Sequence, residues 1–381
     1  MQFDLTEDQV MLRDTARDFA EKELVPAAAR IDAADEYPAE ELGKLAALGF
    51  MGLTIPEEYG GGGMGLQDLC VVVEELARAS AAVDDYLRIS LSLAVVPVMA
   101  FGTEAQKRKY LPPHASGEKL ACFAMTEPGA GSDPAGMATT AAKKDDGYVI
   151  DGRKQFISNA EFAGTVVVFA STDKTQRQRG ITAFVMDKDT PGIIVGRRED
   201  KMGLHGLVSN ELVFDNCYVP AESRIGEEGQ GLRIALDALD VSRVTVGAEA
   251  VGISRAAYEA ALHYAKEREQ FGRPIADLQT IQWMLADMAT RIDAARLMTW
   301  RAAFLCDCGR PFIKEAAMAK VYAAEVSNFV TDKALQVHGG YGYTKDYPVE
   351  RYLRDARITE IYEGTSEIMR LTIARSLLRG D

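Results

Sequence analysis

Asp146-Gly147-Tyr148-Val149-Ile150-Asp151-Gly152 sets two Asp-Gly pairs around three β-forming residues. Asp-Gly supplies the positive φ angles that tight hairpin turns need, so the segment predicts hairpin structure with a turn at each pair. Outward from it, residues 117–225 are rich in Gly and β-formers. Short strand candidates lie at 166–170, 181–186, 193–195 and 211–214. Several short strands separated by turns suggest a small barrel or sandwich.

Both flanks carry the helical period instead. Thr6 followed by Gln9 is a capping-box pattern. Leu12, Ala16, Phe19, Ala20 and Leu24 share one face, and Pro26 reads as the stop. Leu66, Leu69, Cys70, Val73, Leu76 and Ala77 repeat the period, and residues 86–101 predict a buried apolar helix. After Gly231 long helical stretches are broken only at Phe271–Pro274, Gly309–Pro311 and Gly339–Gly342, as in a helical bundle. The expected fold is a multidomain α+β chain. It has an N-terminal α-helical domain over 1–116, a central β-barrel or sandwich domain over 117–228 and a C-terminal four-helix-bundle domain over 229–381.

The 381 residues carry 43 Lys plus Arg against 57 Asp plus Glu, a net charge of −14. That balance argues against general binding to nucleic-acid backbones. The charge-free run Ile89–Thr103 is too short for a membrane span and contains Pro97. Met1-Gln2-Phe3-Asp4 has no basic region leading into an apolar run, so no secretory signal is expected. Five scattered cysteines without a CxxC favour reduced thiols and a cytoplasmic setting. Four histidines with no close His/Cys cluster argue against a zinc site.

Four short motifs have both a plain and a functional reading. Gly60–Gly65 matches GxGxxG, but no strand precedes it, so a flexible interhelical loop is expected rather than a dinucleotide site. Met125–Asp133 (MTEPGAGSD) is either a plain turn or a loop that offers N–H and hydroxyl donors to an anionic ligand. Lys154–Asn159 (KQFISN) is either a strand with Phe156 in the core or a stacking face with a hydroxyl donor. Tyr362–Glu367 (YEGTSE) breaks two helical stretches, with Thr365 or Ser366 as cap for the second. Glu363 there is either solvated or, in a cleft, a general base.

Together these segments resemble the acyl-CoA dehydrogenase family over essentially the whole chain. PEEYGG (56–61), MTEPGAGSD (125–133), REQFG (268–272), QVHGGYGY (336–343) and IYEGTSEI (361–368) occur in the family's order and spacing. The resemblance implies FAD as cofactor and an acyl-CoA thioester as substrate. It implies Glu363 as the base that removes the α proton while the β hydride passes to the flavin. It places Phe123, Met125, Thr126, Gly131 and Ser132 along the flavin and pyrophosphate, and Phe156, Ile157 and Ser158 over the ring. Arg268, Phe271, Gln279, Gln336 and Gly340 would reach the FAD of a neighbouring subunit, and Thr365 and Glu367 add further contacts. Ser132, Asp240 and Arg243 match CoA-side positions. The implied partners are an electron-transfer flavoprotein and further copies of the chain, usually in a tetramer.

The chain departs from the family in several places. Phe156 and Ser158 stand where many members have Trp and Thr. Ser242 occupies the family's alternative base position and is not acidic, which leaves Glu363 alone in that role. Asp84 stands where glutaryl-CoA dehydrogenases carry Arg, so it disfavours a distal carboxylate. Asp84 either faces a compact ring or polar acyl group or pairs with Arg88 one helical turn on. The substrate expected is a short, branched or alicyclic acyl-CoA, such as cyclohexane- or cyclohexene-carbonyl-CoA. The alternatives are an enoyl-CoA reductase running the reverse reaction and a non-enzymatic binding relative.

Overall fold

The computed structural model describes residues 4–379, so the reading of Met1–Phe3 lies outside the described residues. Helix α1 (Glu7–Phe19) starts at Thr6, whose hydroxyl accepts from the Gln9 N–H while the Gln9 amide oxygen accepts from the Thr6 N–H. Pro26 does not stop the helix. A π-helical turn at Ala20–Leu24 carries the chain into α2 (Val25–Ala34), with the Val25 N–H bonded to the Ala20 carbonyl. The widened turn places Pro26 at the start of α2, where its missing donor costs nothing.

Helix α3 (Ala39–Ala47) is followed by the Gly-rich loop. That loop is laced rather than flexible. The Gly62, Gly63 and Met64 N–H groups donate to the carbonyls of Gly52, Ile55 and Leu53 at 2.9, 2.9 and 3.0 Å. Helix α4 (Leu66–Ile89) then runs through the interior, burying Asp84, Asp85 and Arg88 as well as its apolar residues. A second π-helical turn, Ser90–Ala94, leads to α5 (Val96–Phe101) and α6 (Glu104–Ala115), which agrees with the buried helical stretch expected at 86–101.

The centre is β-structure: β1 (Leu120–Ala124), β2 (Thr140–Lys144), β3 (Gly147–Ser158), β4 (Ala163–Ser171), β5 (Ile181–Asp187), β6 (Ile193–Arg198), β7 (Ser209–Pro220) and β8 (Arg224–Ile225). The strand order is β6-β7-β3-β2-β4-β5-β8, with β1 parallel on β4, and the path does not close into a barrel. Period-2 alternation explains how this sheet joins the helices. Val166, Val168 and Ala170 of β4 face a core shared with Ile150, Phe184 and Phe214, whereas Val167 and Phe169 face the helical core.

The Asp-Gly pairs behave differently from each other. The β2–β3 hairpin pairs Lys144 with Gly147, so Asp145-Asp146 is the turn, with Asp145 at φ 51°. The second pair is not a turn. β3 runs on through Asp151-Gly152 as a bulge against β7, because it has partners on both edges. Gly is needed there since a Cβ would lie 2.4 Å from Thr139 Oγ1.

Helices α7 (Gly231–Glu267), α8 (Gln279–Asp307), α9 (Ile313–His338), α10 (Val349–Arg357) and α11 (Ser366–Arg379) complete the chain. A two-residue-per-strand hairpin at Glu269–Gln270 and Arg273–Pro274 joins α7 to α8. Ala250, Val251, Ile292, Val326 and Val330 form the core between α7, α8 and α9. Among the described residues no helix is long and apolar enough to cross a membrane, and all five cysteines are free thiols.

Candidate active site

Glu363 sits on the short turn between the 358–360 helical turn and α11, with φ 54°. Cations from three helices hold that turn. Arg243 Nε of α7 donates to the Glu363 carbonyl at 3.1 Å. Lys320 Nζ of α9 donates to the Gly364 carbonyl at 2.7 Å. Arg88 Nη1 of α4 donates to Glu363 Oε1 at 2.8 Å. The Glu363 side chain is 7% exposed, and its other oxygen, Oε2, has no hydrogen-bond partner among the described residues. Thr365 caps α11, its hydroxyl accepting from the Ile368 N–H at 3.4 Å.

A buried ionic cluster lies behind the turn. Arg88 is fully buried and donates from Nε to Asp85 Oδ1 at 2.7 Å, with Glu249 Oε2 3.2 Å from the same nitrogen. Its Nη2 also reaches Asp85, and the Tyr362 hydroxyl donates to Glu249. The Tyr362 ring centroid lies 5.1 Å from the guanidinium carbon. Burial works against the charge on Arg88, but Asp85 and its other neighbours outweigh it and keep it cationic. Burial pushes the Asp84 and Glu249 carboxyls well above the carboxylate range, Glu249 with help from Asp85. Burial also brings the Lys320 ammonium down to about 8. Ser242 and Ser92 border this cluster, Ser92 donating to the Arg88 carbonyl at 2.7 Å.

Asp84 does not pair with Arg88. Among the described residues both of its carboxyl oxygens lack partners, and Asp85, three residues from Arg88 rather than four, makes that contact. The three-residue spacing suits a short Asp side chain reaching along one helical turn. Asp240 and Arg243 are nearly buried and paired to each other at 2.6 Å, and Arg243 spends its Nε on the Glu363 backbone.

The loop Met125–Asp133 leaves β1 and folds back through reciprocal Glu127–Ala130 backbone bonds. Gly131 and Ser132 are exposed, and a Cβ at Gly129 or Gly131 would meet nothing within 4 Å. Phe156 is not a core residue of β3. It is 63% exposed at φ 58°, while Lys154 and Ile157 point inward. The left-handed residue turns the ring out of the sheet, so 154–158 form the end of β3 as the plain reading has it, but Phe156 is not in the core. The Ser158 hydroxyl lies 3.0 Å from that of Ser209. Phe123 is half-buried against Phe169, Met125 is buried, and Thr126 is half-buried. An outward aromatic ring beside an open glycine loop fits a planar cofactor with an anionic tail.

A separate groove of about 580 Å³ is lined by Arg268, Phe271, Gly340, Tyr264, His338 and Tyr341, among others. Phe271 is 89% exposed at its edge. Gln279 and Gln336 are exposed but do not line it, and Glu367 is exposed at the start of α11. The Glu363 turn, the 125–133 loop and this groove are therefore distinct places on one chain.

Sequence reasoning missed Glu249, Lys320 and the Lys154–Glu127 pair. The available signal was a charge inside a small apolar run, Ala248-Glu249-Ala250 and Ala319-Lys320-Val321. Such charges are almost never buried without a partner.

Comparison with known proteins bears on the chain as a whole. Sequence profiles described as the acyl-CoA dehydrogenase N-terminal, middle and C-terminal domains match residues 6–118, 122–217 and 229–378. The human mitochondrial short-chain specific acyl-CoA dehydrogenase is 45% identical over 376 residues, covering 99% of this chain and 91% of its own. An acryloyl-CoA reductase (NADH) of Anaerotignum propionicum is 47% identical over 381 residues, covering 100% and 96%. Butyryl-CoA dehydrogenase from Megasphaera elsdenii superposes with a TM-score of 0.98 at 45% identity, covering 100% of both chains. A chain solved in work on the electron transferring flavoprotein of Acidaminococcus fermentans gives 0.98 at 47%, again covering both fully.

Proposed function

This chain belongs to the acyl-CoA dehydrogenase family and is an FAD-dependent oxidoreductase, and on that premise we propose that it dehydrogenates a short acyl-CoA between its α and β carbons, with Glu363 as base. The observation that carries this reading is Glu363 itself: a buried carboxylate on a turn held from three helices, with one oxygen unpartnered. A base must present a free lone pair in a fixed position, and few other carboxylates here meet both needs. When bound, FAD supplies the acceptor for the β hydride. Phe156 and Ser158 would cover its ring, and Phe123, Met125, Thr126, Gly131 and Ser132 would line it. Arg268, Phe271 and Gly340 would serve the cofactor of a second copy, which makes the active assembly a homo-oligomer and, by family habit, a tetramer.

The chain's own residues shape the substrate. The ground behind Glu363 is polar, with Arg88, Asp85, Glu249, Ser92, Ser242 and Thr245. A long apolar tail would need depth that these fully buried, mutually bonded side chains already fill. A short acyl group does not, and the relatives named for short-chain and butyryl substrates support the same choice. Those names lend no support to an alicyclic acyl group. Electrons would leave to an electron-transfer flavoprotein, which the Acidaminococcus comparison supports. The second reading is the reverse reaction, favoured by the similarity to acryloyl-CoA reductase.

Anaerobic titration of the holoenzyme with straight-chain acyl-CoAs from propionyl to octanoyl, followed by the flavin spectrum, tests this. Bleaching by the shorter thioesters, lost in Glu363→Gln, is expected. If no saturated thioester bleaches the flavin while acryloyl- or crotonyl-CoA reoxidises the reduced enzyme, the reductase reading replaces it.

A further inference from the structure

Glu363 has two chemically equivalent oxygens, but the fold treats them differently. Oε1 accepts from Arg88 Nη1 at 2.8 Å, and Oε2 is buried with no partner among the described residues. We propose that Arg88 is a positioning residue: it fixes Glu363 through Oε1 and leaves Oε2 as the oxygen that takes the substrate's α proton. This rests on the reading of Glu363 as base.

Arg88 is itself immobilised. Asp85 binds it through Nε and Nη2, Glu249 lies against the same Nε, and Tyr362 covers its face. The Ser92 hydroxyl holds its backbone carbonyl at 2.7 Å, and Ser92 is tied in turn to Thr245 of α7 at 2.9 Å. The guanidinium is fully buried, so no water competes for its donors. A planar fork anchored on one side by two carboxyls turns Nη1 toward the base, where Glu363 Oε1 accepts at 2.8 Å and the Ser242 hydroxyl lies farther off at 3.4 Å. Without that contact, a Glu on an αL turn residue would be free to rotate about three side-chain torsions.

The division suits the chemistry. The α C–H bond breaks and its proton passes to Oε2, turning the carboxylate into a neutral acid. The C–H electron pair would become the α,β double bond, with bound FAD supplying the two-electron acceptor for the hydride that leaves the β carbon. Oε1 keeps its bond to Arg88 throughout, so the base does not have to reorganise as it is neutralised.

The test uses holoenzyme and whichever acyl-CoA bleaches the wild-type flavin fastest. Arg88→Met should slow single-turnover bleaching by about 10- to 100-fold. Its acyl-CoA dissociation constant should stay within about three-fold of wild type, and the isotope effect on α-deuterated substrate should rise. Arg88→Lys should recover part of the rate. Glu249→Ala, which takes away the acceptor beside Arg88 Nε and leaves Arg88 in place, should slow bleaching less and with the same signature, and it serves if Arg88→Met does not fold. Wild-type rates in Arg88→Met, or in Glu249→Ala where it stands in, would overturn the proposal. So would equal slowing in Arg88→Met and Arg88→Lys accompanied by weakened acyl-CoA binding. Bleaching that persists in Glu363→Gln would instead overturn the base assignment beneath it.

Discussion

Lys154 Nζ donates to Glu127 Oε1 at 2.8 Å, with the lysine side chain fully buried and the glutamate 4% exposed, directly under the loop 125–133. The same ammonium donates to the Met125 carbonyl at 3.1 Å, and the Glu127 carboxylate accepts from the Ala138 and Thr139 N–H groups. Burial pulls the Lys154 ammonium down to about 8, and burial would raise Glu127, but Lys154 and the N–H donors hold its carboxyl below the ordinary range. Both groups are therefore charged at neutral pH, and the pair ties the start of the loop, Met125 and Glu127, to β3 and to the residues that lead into β2.

Removing one partner leaves the other charge buried alone, a loss of about 3–5 kcal/mol. Lys154→Met is expected to lower the thermal midpoint and to release FAD more readily. Lys154→Met combined with Glu127→Leu should regain much of the stability, because no lone charge remains. Thermal unfolding and a fluorescence titration with FAD check both points. A single variant as stable as wild type would show that the pair does not anchor the loop.

Lys320 makes a second, pH-dependent anchor. Its ammonium, brought down to about 8 by burial, holds the Gly364 carbonyl beside Glu363. As pH rises through about 8 the group loses its charge, and a charge-assisted bond becomes an ordinary one. The bleaching rate should fall along that alkaline limb. Lys320→Met should be slower at pH 7, on the order of ten-fold, and should lack the limb. A pH–rate profile of both proteins decides it.

His114 is expected to contribute to the loss of stability on the acid side. It is 2% exposed, with Nδ1 2.6 Å from the Lys119 carbonyl oxygen, and burial takes its pKa down to about 4. Between about 6.5 and 4 the unfolded chain binds a proton that the native chain does not, so stability falls as pH falls through that window. The contribution is at most about 3 kcal/mol. His114→Asn should lose less stability between pH 7 and pH 4.5 than wild type, as read from urea midpoints. An equal loss would assign the acid sensitivity to other groups.

The sequence displayed most of the architecture because its signals are local. The Thr6–Gln9 box, the apolar stripe of 66–77 and the breaks near 271, 309 and 339 each became a helix start, a buried face or a loop. Pro26 and Asp151-Gly152 misled for one shared reason: a π turn and a β-bulge absorb an irregularity without ending the element, and both depend on neighbours that periodicity cannot see. Glu363 was legible through its motif. Its surroundings were not, since Arg88, Arg243 and Lys320 lie 275, 120 and 43 residues away in sequence and converge only when α4, α7 and α9 pack.

That packing rests on Gly252, where α7 crosses α4. A Cβ there would lie 2.5 Å from the Glu74 carbonyl oxygen and 2.9 Å from the Ala77 Cβ, both too close to be relieved by a rotamer change. Gly252→Ala must therefore push the two helices apart, at about 1–3 kcal/mol. Since α4 carries Arg88 and α7 carries Arg243 and Glu249, the same shift should lengthen the contacts that hold Glu363 and slow bleaching along with the fall in thermal midpoint. Gly43→Ala is the matched control. It lies within α3 with open space around it, and it should be neutral or stabilising by about 0.4–1 kcal/mol with bleaching unchanged. If Gly252→Ala lowers the midpoint yet bleaches at the wild-type rate, then the grip on Glu363 tolerates a displaced α4, and its orientation is set within the turn itself.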